Sequence, residues 1–171
     1  MQKPELLEEL DKKELVQIVT AVNDRLFDRF TEETEESGVN PLTESDGAMK
    51  DDVWLPEPIK TLLIAEYNAP EDKKTHIALV KYFNPYGSQT WWFSAYDPES
   101  DRFYGMCELF EAELGFASNK EMRELRVPPF GLPIERDIHF TPTPLSKLPP
   151  LEDICQLITR NIEPLLANGS R

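Results

Sequence analysis

The chain has 171 residues, 40% of them hydrophobic, and a net charge of −14, which together fit one ordinary domain with terminal additions and exclude wholesale disorder. Of its charged residues, 15 acidic and 6 basic lie in residues 1–53, a net of −9, against −5 for residues 54–171. No basic patch is present to neutralise phosphates, so no nucleic-acid partner is expected. No apolar run nears the ~20 residues that span a bilayer, and the acidic start MQKPELLEEL lacks the apolar segment of a secretory signal, so the expected location is cytoplasmic. Cys107 and Cys155 form no Cys-x-x-Cys pair, which points to two free, inert thiols rather than a zinc or redox site.

In chain order, Glu14 to Phe30 reads as an amphipathic helix. Leu15, Ile18, Val19, Val22, Leu26 and Phe30 recur at spacings of three and four, and Asp11 with Glu14 has the pattern of a capping box. The apolar stripe stops in TEETEESG, and the turn-rich VNPLTESDGAMKDD reads as a mobile linker. Residues 1–53 are therefore expected to form an acidic helical arm and linker, and residues 54–171 a separate body with a C-terminal helix.

In the body, Ile59–Glu66 reads as a short helix. His76–Phe83, Gln89–Tyr96 and Arg102–Phe110 read as strands, with turns at Asn84–Ser88 and Asp97–Asp101, which imply an antiparallel meander. Ser118 caps a short helix, Asn119–Leu125, with Glu121 at the capping-box position. ERDIHF should be a fourth strand, and Leu151–Leu166 a final amphipathic helix strained or ended near Pro164. The fold class expected is α+β: a small, mostly antiparallel sheet of about four strands flanked by an N-terminal and a C-terminal helix.

The candidate chemistry centres on Glu135–His139. On a strand, Ile134, Arg136, Ile138 and Phe140 share one face, and Glu135, Asp137 and His139 share the other. Arg136 among apolar groups requires a partner, and Glu111 or Glu113 in FEAELGF are the best candidates for a buried Arg–Glu clip. The functional alternative is an arginine that grips an anion in a cleft. Glu135, Asp137 and His139 at i, i+2 and i+4 could share a metal ion, against the default of a solvated polar face. There is no Gly-x-Ser-x-Gly elbow, phosphate loop or His-Glu-x-x-His helix. Trp91 and Trp92 point to opposite faces of their strand. Core is the default for both, but an exposed indole on the sheet would be a binding anchor.

The succession HIALVKYFNP, TWWFSAYDP, FYGMCELFEAELGFAS and PPFGLPIERDIHFTPTPLS resembles a bacterial family known as domain of unknown function 2958, over about residues 54–148. Members carry a "VKFF" strand, a "TWY" strand, a "GFEPELGYFSL" stretch and a "GLPIERDLYFxPxPLS" ending, and are often found on plasmids and other mobile elements. His139 stands where the family commonly has an aromatic, and Phe116-Ala117-Ser118 replaces Tyr-Phe-Ser. The resemblance implies no activity and transfers no catalytic role. The leading expectation is thus a non-catalytic protein that binds another protein, through the acidic arm or an exposed sheet face. A defence-related acidic inhibitor is a narrower form of it. The alternatives are a metal- or carboxylate-dependent enzyme using Glu135, Asp137 and His139, and an anion-binding module using Arg136. No cofactor is expected.

Overall fold

The computed structural model describes residues 11–150; the expected last helix and Cys155 lie outside them. The first helix, α1 (Lys12–Ser37), opens with the capping box read from the sequence. The Asp11 carboxylate accepts from the Glu14 N–H at 2.9 Å, and the Glu14 carboxylate accepts from the Asp11 N–H at 2.8 Å. It continues about two turns beyond the apolar stripe, through TEETEES, because Glu and Thr tolerate a helix already nucleated. It stops where Gly38 takes up φ +68° and its N–H donates to Thr34 O at 2.9 Å.

Short helices follow, α2 (Asp51–Trp54) and α3 (Glu57–Asn68), with Pro56 and Pro58 placed where a first turn tolerates proline. Then come β1 (Ile77–Ala78), β2 (Val80–Phe83), β3 (Thr90–Asp97), β4 (Arg102–Glu108) and β5 (Ala112–Ser118). The helix α4 (Asn119–Glu124) follows, and its first turn is capped by the Ser118 hydroxyl accepting from the Glu121 N–H. The remaining strands are the two-residue β6 (Arg126–Val127), β7 (Leu132–Pro133), β8 (Glu135–Arg136) and β9 (Thr143–Pro144).

The class is α+β. Its centre is a five-stranded antiparallel sheet in the order β5-β4-β3-β2-β8, flanked by small β1–β9 and β6–β7 ladders. The meander was legible in the sequence; the fifth strand, β5, was not. ERDIHF is shorter as a strand than expected. After Arg136 the Asp137 carboxylate accepts from the His139 N–H at 2.9 Å and the Asp137 carbonyl from the Phe140 N–H, so aspartate turn chemistry ends the ladder.

One sheet face meets the helices. Leu15, Val19 and Leu26 of α1, Leu42, Met49 and Val53, and Ile59 and Leu63 of α3 form one buried cluster with Val80, Tyr82, Trp91, Phe93 and Phe103. The Phe93 and Phe103 rings stack at 4.7 Å, and the Tyr82 hydroxyl donates to Trp54 O at 2.7 Å. The segment read as a mobile linker is a compact hairpin, with the Glu44 N–H donating to Ala48 O and the Lys50 N–H to Leu42 O. Its Leu42 and Met49 side chains are buried in the core. An arm set apart from a body thus has no counterpart in the packing of the described residues, since Leu15 and Val19 complete the hydrophobic core that the sheet begins.

The other face carries Trp92, Met106 and Ala78 beneath Leu145 and Leu148. Between the faces, pairing shifts register between Phe93 and Ala95. This β-bulge at Ser94 breaks the alternation and turns Tyr96 back to the side of Phe93.

Candidate functional site

Arg136 sits where strand alternation places it, inward and only 3% exposed, but without the carboxylate partner that alternation led us to expect. Glu111 and Glu113 are exposed at the opposite edge of the sheet, beside and in β5. In their place, Arg136 Nε donates to Val53 O at 2.6 Å and Nη1 donates to Asn23 Oδ1 at 2.9 Å. Nη2 has no partner among the described residues. The guanidinium therefore caps the carbonyl end of α2 and ties β8 to the middle of α1. Desolvation pushes its pKa down to about 10, the cost of holding an unpaired cation indoors. An anion-gripping arginine must be reachable by solvent, and this one is not.

The other face of the same stretch is dispersed. Asp137 pairs with Lys81 Nζ at 3.0 Å, and the exposed His139 lies edge-on to the Phe27 ring at 5.3 Å. Burial pushes the Glu135 carboxyl above its usual range. Among the described residues, no three His, Cys, Asp or Glu side chains are gathered to hold a metal ion. Trp91 is buried against the helices and Trp92 beneath Leu145 and Leu148, so neither indole is a solvent-facing anchor. Cys107 is a core thiol as expected, its pKa pushed up to about 11 by burial.

What the sheet does present is β5. Within the sheet it pairs only with β4, and its other edge faces no strand among the described residues. The Asn119 N–H donates to Asp101 O at one end of the hairpin, and the Leu109 N–H to Glu111 O at the other. Antiparallel bonding alternates between these points. Odd-numbered β5 residues thus turn their backbone groups to β4, while Ala112, Leu114, Phe116 and Ser118 turn theirs to the free edge.

Apolar side chains accompany that edge. Phe110 at the hairpin tip is 99% exposed, and Leu114 and Phe116 on one face are 50% and 51% exposed. Beside Phe116 lies a cleft of about 140 Å³, lined by Tyr104, Ala95, Glu66, Lys74 and His76. Glu66 shapes it: its carboxylate accepts from the His76 N–H at 2.7 Å and the Thr75 hydroxyl at 3.0 Å, which holds His76 at φ +50°. Small-molecule sites typically enclose ~300–1,000 Å³, so this cleft suits a single side chain better than a cofactor.

Sequence reasoning missed Leu114, Gly115 and Phe116. The signal is there in AELGFAS, where apolar residues alternate with Glu113 and Gly115, a period-two pattern in a stretch that the sequence reading assigns to no element.

The comparison with known families decides the lineage. Residues 54–149 match the family described as protein of unknown function, DUF2958. The chain belongs to the DUF2958 family. No curated protein and no solved structure matches it. The match contains the whole five-stranded sheet and the GLPIERD motif. Yet Asn23 and Val53, which satisfy the motif's arginine, lie before its first residue. In this chain the DUF2958 core is thus completed by the helix and hairpin that precede it.

Proposed function

We propose that this protein is a non-catalytic interaction protein that receives another polypeptide by strand addition at β5. The observation that carries this reading is the edge itself. It is seven residues long, free of Lys, Arg and Pro, and flanked by exposed Leu114, Phe116 and Phe110. Proteins ordinarily blunt such edges with charge, proline or brevity, because unpaired N–H and C=O groups recruit strands. The opposite edge shows the protection that β5 lacks: β8 is two residues long and follows Pro133 closely. Strand addition combines main-chain bonds with pockets for alternate side chains, and the cleft beside Phe116 supplies such a pocket.

The test is hydrogen exchange on the full chain with and without a captured partner. Binding should protect the outward amides of Leu114, Phe116 and Ser118, and Leu114→Arg should abolish it while leaving the circular dichroism spectrum unchanged. Full-strength binding by Leu114→Arg, or protection that appears elsewhere and spares β5, would sink the reading.

A further inference from the structure

We infer that the strand β5 receives is β5 of a second copy of this chain, paired antiparallel about a twofold axis at Gly115. The inference rests on the strand-addition reading and names the occupant. An antiparallel pair related by a twofold axis perpendicular to the sheet must match even residues with even and odd with odd, so that faces are preserved. Centring the pair on Gly115 is the register that uses the full Ala112–Ser118 strand.

Three consequences follow from that register. Leu114 of each copy lies opposite Phe116 of the other, so the half-exposed apolar residues bury one another on a common face. Glu113 lies opposite Ala117, so no like charges meet, whereas centring on Glu113 would set two carboxylates face to face. Glu111, just ahead of the strand, falls opposite Asn119 of the other copy, the first residue of α4, so no carboxylate faces it there either.

The backbone agrees. Ala112, Leu114, Phe116 and Ser118 hold the outward N–H and C=O groups, and the register pairs Ala112 with Ser118 and Leu114 with Phe116, so every outward group meets one on the other copy. Gly115 on the axis is then a non-hydrogen-bonded pair, in which antiparallel Cα atoms approach to ~4.5 Å. A Cβ built on Gly115 meets nothing within 4 Å, so the axis position is unobstructed. The product is a continuous ten-stranded sheet. One strand pair sits at the low end of stable interfaces, so the association is reversible and depends on concentration.

The experiment uses the full chain in a Cys155→Ser background, with Cys107 buried in the core. Gly115→Cys should form a disulfide-linked dimer under mild oxidation, because ~4.5 Å between Cα atoms lies within disulfide range. Glu113→Cys and Ala117→Cys should not link to themselves at a comparable rate. Sedimentation equilibrium should show the wild type in monomer–dimer exchange, and Phe116→Glu should weaken self-association at least about tenfold. A wild type that stays monomeric up to the solubility limit would overturn the proposal. So would a dimer that cross-links faster at residue 113 or 117 than at 115. Either result leaves strand addition by a different partner standing, provided that partner still protects the Leu114 and Phe116 amides. Loss of that protection too would remove both readings.

Discussion

Replacing Asn23 by alanine tests whether α1 is integral to the domain through Arg136. Asn23 Oδ1 accepts from Arg136 Nη1 at 2.9 Å, and its Nδ2 donates to Phe140 O at 3.3 Å. A bond to a charged donor contributes about 1.5–3 kcal/mol, and a neutral one about 1 kcal/mol. Alanine returns about 0.5 kcal/mol as the better helix former. The net loss expected is therefore about 2–3.5 kcal/mol, which for a chain of this length lowers Tm by roughly 4–14 °C. Much of that loss comes from leaving a second guanidinium nitrogen of a buried cation without a partner.

It follows that the loss depends on the cation. In an Arg136→Met background, Asn23→Ala should cost only about 0.5 kcal/mol, the bond to Phe140 O less the same helix-propensity gain. The difference between backgrounds, at least about 1 kcal/mol, is a coupling energy that urea unfolding of the four proteins measures directly. If Asn23→Ala costs under about 0.5 kcal/mol, or costs the same with and without Arg136, the guanidinium does not hold α1 and the reasoning fails.

Two further outcomes test the sheet and its electrostatics. Gly105 faces Phe93 at the bulge, and a Cβ there would overlap Trp92 O and lie 2.8 Å from Phe93 Cα. Gly105→Ala should therefore destabilise by about 1–3 kcal/mol, while Gly115→Ala, with open space around it, changes thermal stability by less than about 0.5 kcal/mol; equal effects would refute the close approach. Burial raises the Glu135 carboxyl pKa, so the folded state disfavours its ionised form, and stability is lost as pH rises through the unfolded and then the folded value. Glu135→Gln should then raise Tm at pH 7, with an advantage that vanishes near pH 3; an advantage that persists in acid would show a cause other than charge.

Local chemistry was legible in the sequence wherever it acts over a few residues. Asp11 and Glu14 spelled the start of α1, Asn84–Ser88 and Asp97–Asp101 the turns of the meander, and strand alternation the inward aim of Arg136. The family motifs around residues 54–148 were also readable as they stand. Two local rules competed unseen: Asp137 could extend a strand or close a turn, and the turn won.

Tertiary structure alone decided what each face meets. Periodicity says that Arg136 points inward but cannot say that its acceptor is Asn23, 113 residues earlier in the chain. It says that Trp91 and Trp92 diverge but not that Leu145 and Leu148 cover the second. It marks Leu42 and Met49 as apolar in a turn-rich segment, yet burial against Tyr82 and Phe93 is a property of the assembled core. Most of all, alternation can find a strand in AELGFAS without revealing that it ends a sheet. An edge is defined by the absence of a neighbour, and neighbours are set by the pairing order of the whole fold.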